Sequence, residues 1–252
     1  MPGATADAPD PVPGGTSGRR RAVRAGLVGA AALAAGLAGA SAGPTATLAR
    51  PGATRARPAG PRAALRELAA GNRRWRTLHE KHPDETRPVR QALIGGQHPF
   101  AVVLGCVDSR VPPELVFDQG LGDLLTVRSA GQVLDEAVLG SICYGVLELA
   151  IPLIVVLGHQ SCGAVAAAVR ADAGGGPPLP AHLQYLADQI RPAIDRTAHG
   201  GARVDATVTA NVRRVRARLA AEPDLAARIT TGHLDVVGAR YELATQRVDR
   251  VD

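Results

Sequence analysis

The chain reads as an α/β protein: a mainly parallel four-stranded sheet with a possible fifth edge strand, flanked by helices. Three observations predict it. Short continuous apolar runs, Phe100 to Gly105, Leu124 to Val127 and Leu153 to Leu157, suit strands buried on both faces. Stretches with helical spacing separate them, so successive strands join through right-handed crossovers and lie parallel. About fifty N-terminal residues of the 252 look unlike a folded core, which leaves one domain for the alternating part.

Taken in order, residues 1 to 18 are rich in Pro, Gly and small polar residues, and Arg19, Arg20, Arg21 and Arg24 precede an apolar or small stretch from Ala25 to Ala42. A charged region, an apolar region and the small residues Ala40-Ser41-Ala42 make an export signal over residues 1–42. The arginine pair before a weakly apolar, Ala- and Gly-rich stretch resembles a twin-arginine signal, so a secreted protein is expected. The stretch falls short of the roughly 20 strongly apolar residues of a membrane span, and no stable anchor is expected after cleavage. Residues 43–60 are mostly Pro, Ala, Gly, Thr and Arg without periodicity, a flexible tether, and the domain occupies 61–252.

Within the domain, Leu65, Leu68, Asn72 and Trp75 lie along one face of a first helix that Pro61 opens and Gly71 weakens. Residues 79 to 98 are polar, carry Pro83 and Pro88, and connect it to the first strand. Pro112 and Pro113 suit a helix start after that strand. A helix from about Leu134 to Leu149 is apolar on most sides and expected to be buried, with Pro152 stopping it before the third strand. A small-residue helix from Cys162 to Ala171, a loop over Gly174 to Pro180 and two or three amphipathic helices over 181 to 230 follow. A fourth strand, Leu234 to Leu243, turns through Ala244 to Gln246 into a short fifth, Arg247 to Val251.

The formal charge is +6, and residues 1 to 49 hold four Arg against Asp7 and Asp10, so +4 remains without them. That is modest for a domain of this size. The densest basic cluster, Arg213, Arg214, Arg216 and Arg218, interleaves with Val212, Val215 and Leu219 as a solvated helix face. Aromatic residues make up 2%, too few for a base-stacking platform, and nucleic acid is not an expected partner.

The odd count of three cysteines and their placement argue against a disulfide framework. Cys143 sits in an apolar helix and is read as core. Cys106 and His159 end the first and third strands, and Cys162 opens the next helix, where the dipole favours a thiolate. In a doubly wound sheet those two strand ends meet where the strand order reverses. Two thiolates and one imidazole leave a fourth position open, which suits a catalytic zinc; a structural zinc is closed by four protein ligands. Asp108 and Arg110 stand two and four positions beyond Cys106. His79, His82, His98, His182, His199 and His233 show no ligand spacing and are expected in solvent.

At these residues the chain resembles a family. Cys106-Val107-Asp108-Ser109-Arg110 and Gly158-His159-Gln160-Ser161-Cys162-Gly163 resemble the paired signature of the β-class carbonic anhydrases. Gly-Gln-His-Pro at 96 to 99, Phe-Asp-Gln-Gly-Leu-Gly-Asp at 117 to 123, Val-Arg-Ser-Ala-Gly at 127 to 131 and Val-Leu-Gly-Ser-Ile at 138 to 142 extend the likeness over roughly residues 62 to 245. The resemblance implies one zinc per chain on Cys106, His159 and Cys162, and reversible conversion of carbon dioxide to bicarbonate. It implies that Asp108 accepts a hydrogen bond from the hydroxide on zinc and that Arg110 keeps Asp108 ionised. It further implies that Gln97 reaches the ligand pocket, that Tyr144 stands near it, that the Gly163 N–H meets a bound anion, and that Leu125 and Ala130 supply apolar walls. The chain departs from the family pattern at Ser129, Gln132 and Cys143. By the same resemblance the stripe on residues 62 to 78 packs across a dimer, giving a homodimer or a dimer of dimers. Relatives of the fold hydrolyse carbonyl sulfide or carbon disulfide, an alternative activity. A non-catalytic zinc-binding module is a second alternative, and its signature would be loss of Asp108 or Arg110, both of which are present.

Overall fold

The computed structural model describes residues 56–174 and 177–251. The expected signal over 1–42 and most of the tether over 43–60 lie outside the described residues.

The sheet contains β1 (Ala101–Cys106), β2 (Leu124–Ser129), β3 (Leu153–His159), β4 (Asp235–Tyr241) and β5 (Val248–Arg250), in the order β2-β1-β3-β4-β5. The first four run parallel and β5 lies antiparallel on the β4 edge, as the apolar runs and the final turn predict. Among the described residues eight α-helices accompany them: α1 (Pro61–Arg76), α2 (Arg87–Ala92), α3 (Pro113–Val116), α4 (Glu136–Leu147), α5 (Gly163–Asp172), α6 (Ala181–Ile190), α7 (Gly200–Ala221) and α8 (Pro223–Thr230).

β1 and β3 are buried along their whole length because helices cover both faces. Val102, Leu104, Ile154 and Val156 pack toward α4, α7 and α8 through Ile142, Val212 and Leu225. The alternate residues Ala101, Val103, Val155 and Leu157 pack toward α1 and α3 through Leu68, Phe100 and Val116. A third apolar cluster, around Cys106, Cys162, Val165, Ile190 and Val208, joins α5 and α6 to the carboxyl ends of the central strands.

The structure corrects four expectations. The α1 stripe is covered within the chain: Ala64 and Leu68 are buried in the α3-side core, and the Trp75 indole N–H donates to the Tyr241 hydroxyl at 3.0 Å. Asn72 ties α1 to the far end of the chain, donating to the Val116 and Gln246 carbonyls at 3.1 and 3.0 Å and accepting from the Val248 N–H at 3.0 Å. Gly71 is a point of close approach; a Cβ there would lie 1.7 Å from the Phe117 carbonyl oxygen. The polar connector holds a short helix, α2, because Pro88 sits in its first turn, where no N–H is needed.

The other two corrections concern solvent. α4 buries only Ile142, Gly145 and Val146, and Tyr144 and Leu147 on its other side are exposed. In the arginine cluster, Arg213 and Arg218 are exposed, whereas Arg214 donates to the Gln189 carbonyl and Arg216 to the Val236 carbonyl, at 3.2 and 2.9 Å. The expected solvated face is therefore tethered to neighbouring backbone at Arg214 and Arg216.

Candidate metal centre

The chain runs from β1 outward to β2, then crosses back to β3 on the other side of β1. Strand order reverses between β1 and β3, and the crevice beyond their carboxyl ends is where open α/β sheets bind ligands. Cys106 is the last residue of β1 and His159 the last of β3, and the parallel register, with Gly105 beside Leu157, brings both to the same end of the sheet. Ser161 takes a left-handed conformation, φ 54°, and turns the chain so that Cys162 caps α5 facing the same space.

The ligand atoms of Cys106, His159 and Cys162 all lie within 4.8 Å of one another, and all three residues are buried. The two sulfurs are 3.9 Å apart, too far for a disulfide. Two thiolates bound at about 2.3 Å to a tetrahedral ion would stand about 3.8 Å apart, which matches. His159 Nδ1 lies 2.9 Å from the Gln160 carbonyl oxygen, which only accepts, so Nδ1 carries the proton. In the neutral ring the lone pair then sits on Nε2. It is buried without a hydrogen-bond partner and faces the sulfurs, an orphaned acceptor that a cation would satisfy. The donor set, two sulfurs and one nitrogen, suits zinc.

The ionisation of the trio follows its geometry. A hydrogen bond from Cys162 holds the Cys106 thiol down at about 4 against its burial, with His159 and the Gly131 and Asp108 N–H groups assisting. Cys162 is pushed up, by its hydrogen bond to Cys106 and then by burial, although the N–H groups of Val165 and Ala164 at the start of α5 favour its thiolate. Burial opposes the charge of His159, but the Cys106 sulfur outweighs it and the pKa is raised.

Asp108 lies at the rim, its Oδ2 3.8 Å from His159 Nε2. Arg110 grips it through two parallel contacts, Nε to Oδ1 at 2.9 Å and Nη2 to Oδ2 at 2.8 Å, and its own N–H adds a third at 3.0 Å. These hydrogen bonds hold the Asp108 carboxyl at about 2 despite partial burial. Arg128, on β2, donates to the Cys106 carbonyl and the Asp108 carbonyl, both at 2.7 Å, and so clamps the loop backbone from the other side. The Gly131 N–H points at the Cys106 sulfur from 3.3 Å.

A cavity of about 320 Å³ opens over this group, lined by Asp108, Ala130, Gly163, Ala164, Leu183 and Leu186 among others. Sequence reasoning therefore found Ala130 and Gly163 but missed the α6 wall. Gln97, Leu125 and Tyr144 are not brought to this cavity within the chain. Gln97 is exposed before the amino end of β1, the opposite end from Cys106. Leu125 pairs with Val102, four residues and about 13 Å short of Cys106 at about 3.3 Å per residue. It shares a shallow outer groove with Arg128 and Tyr144, and Tyr144 is 50% exposed. Cys143 is partly buried against the core, as expected, and burial pushes its thiol up. The six remaining histidines are all exposed. A roomier groove of about 440 Å³ between α1 and the sheet is lined by apolar side chains, Asn72 and arginines and contains no nucleophile or ligand set.

Comparison with known proteins agrees with this geometry. The family model described as carbonic anhydrase matches residues 101–248. Carbonic anhydrase 2 of Mycobacterium tuberculosis is 43% identical over 183 residues, 72% of this chain and 88% of that protein. The solved β-carbonic anhydrase CcaA superposes with a TM-score of 0.60 at 25% identity, covering 75% of this chain and 95% of its own. A tetrameric β-carbonic anhydrase from Sordaria macrospora gives 0.59 at 23% identity, over 64% of this chain and 85% of its own. A matching family model, close relatives along most of the chain and the strand-end Cys/His/Cys group converge, and the chain belongs to the β-class carbonic anhydrases.

Proposed function

We propose that this chain catalyses the reversible hydration of carbon dioxide to bicarbonate with a zinc ion held by Cys106, His159 and Cys162. The observation that carries the reading is the buried, unpartnered His159 Nε2 facing two sulfurs, with an ionised Asp108 3.8 Å away. Zinc, when bound, supplies a Lewis acid that brings the ionisation of a water close to neutrality. The chain's own residues do the rest. Asp108, ionised and therefore acceptor-only, takes a hydrogen bond from the O–H of the nucleophile and so aims its lone pair at the substrate carbon. Arg110 locks that carboxylate, and Arg128 fixes the backbone carrying it. Ala130, Ala164, Leu183 and Leu186 offer an uncharged substrate an apolar wall. Gly163, first in α5, presents its N–H at a helix N-terminus, where the anionic product is favoured. Stopped-flow hydration by zinc-loaded protein tests the reading, alongside elemental analysis of His159→Ala. Turnover at the uncatalysed rate, or full zinc retention in the variant, would refute it.

The acting form is a homodimer or a dimer of dimers. Gln97, Leu125 and Tyr144, which family resemblance assigns to the ligand pocket, lie outside it in a single chain, and a second copy accounts for both facts. The solved relative described as tetrameric supports association.

Export through the twin-arginine route follows from Arg20 and Arg21 before the weakly apolar stretch. That route carries folded cargo, so Cys106 and Cys162 would be metallated before meeting an oxidising exterior. Replacing Arg20→Lys and Arg21→Lys together should leave active protein inside a producing cell; unchanged secretion in culture fractions would count against the route.

A further inference from the structure

Beyond β2 the chain makes a tight turn, Ala130 to Gln132, whose two last residues are both left-handed: Gly131 at φ 67° and Gln132 at φ 53°. Gly131 has no room for a side chain, since a Cβ would meet Ile190 Cδ1 at 2.8 Å and the Ala164 methyl at 3.3 Å. Glycine is also the residue that least holds its own backbone in place. Yet the Gly131 N–H is aimed at the Cys106 sulfur. Something else must hold the turn.

Two buried amides do so. Asn211, on α7 and 80 residues away in sequence, donates its side-chain N–H to the Gly131 carbonyl at 2.8 Å and is 1% exposed. Gln132, also 1% exposed, donates to the Leu157 carbonyl of β3 at 2.9 Å. One amide fixes the peptide that follows Gly131, the other fixes the residue after it, and together they restrict how the glycine presents its N–H. We propose that Asn211, with Gln132 beside it, is a positioning residue for the metal thiolate: by holding the Gly131 turn it keeps that N–H on the Cys106 sulfur. The N–H takes up part of the thiolate charge and fixes the direction of the sulfur, so the ion is held by a ligand that cannot swing away. This rests on the reading of Cys106, His159 and Cys162 as metal ligands.

The test uses cobalt as a spectroscopic stand-in for zinc in the full chain, with Asn211→Leu as the variant and Thr207→Val as its control. Thr207 is equally buried on the same helix, but its hydroxyl serves only Arg203 and Asp195, away from the metal turn. In Asn211→Leu the sulfur-to-cobalt charge-transfer absorption should move to longer wavelength, and loss of the ion to excess chelator should quicken about ten-fold or more. Thr207→Val should match the wild type in both. If Asn211→Leu does not fold, Gln132→Met carries the test with the same expected shift. Cobalt spectra and release rates indistinguishable from wild type in a folded variant would overturn the proposal. A wild-type protein that takes up no cobalt would instead overturn the metal reading beneath it.

Discussion

In the proposed reaction Asp108 is the residue on which the chemistry turns without being a ligand. Its carboxyl, held at about 2 by Arg110, lies below its unfolded value of 3.8, so the stability it contributes is fully present above that value and is lost as pH falls through about 2. Through the neutral range it stays ionised. Asp108→Asn removes the acceptor and the partner of Arg110 but no metal ligand, so zinc content should be unchanged. The hydration rate should fall about a hundred- to ten-thousand-fold, the usual scale for a positioned proton acceptor. Because the group does not titrate there, the deficit should be flat from about pH 5 to 9. Near wild-type turnover, measured by stopped flow with zinc content in parallel, would remove the proposed role. The convergence of Cys106, His159 and Cys162 and of the Asp108–Arg110 pair was legible in the sequence because strand ends of a doubly wound sheet converge and the residues that follow a strand travel with it. Leu183 and Leu186 were not. Their place depends on α6 folding back over the crevice, which no local spacing announces.

At the scale of elements, α1 illustrates how a residue that looks weak can be a contact. A glycine inside a helix costs about 1 kcal/mol relative to alanine in propensity, so Gly71→Ala should help the isolated helix. In the fold it should do the reverse. The added methyl would stand 1.7 Å from a backbone oxygen of Phe117, which cannot rotate aside, and α1 would have to back away from α3. The Asn72 hydrogen bonds and the Trp75–Tyr241 pair would loosen with it. Overpacking of this kind costs about 1–3 kcal/mol, and the denaturation midpoint should drop accordingly. A midpoint at or above wild type would mean that α1 sits less tightly than described. The strands were legible because buried parallel strands need uninterrupted apolar runs, and Leu124 to Val127 or Leu153 to Leu157 supply them. The docking of α1 on its own core was not, since an apolar stripe states that it needs a partner but not which one.

For the whole molecule, the open question is what covers the outer groove beside β2 and α4. Leu125 and Tyr144 line it with Arg128 and Glu136, and Leu147 is a further exposed apolar residue on the same helix. Exposed apolar surface of this kind marks association, and the proposed dimer would bring these residues to the cavity of a second copy. Tyr144→Arg separates the possibilities. The new cation would stand beside Arg128 on a surface that must lose its water on association, so repulsion and desolvation both oppose the dimer. Within the chain Tyr144 is half exposed and remote from Cys106, His159 and Cys162, so folding and zinc content should be unchanged. Sedimentation should show the mass of a single chain where the wild type shows a multiple. Hydration should fall with it, because each cavity would keep its metal ligands and Asp108 but lose the residues a second copy provides. A variant that sediments as the wild type does and turns over at the wild-type rate would place the interface elsewhere. A single-chain species with full activity would show that one chain carries a complete site.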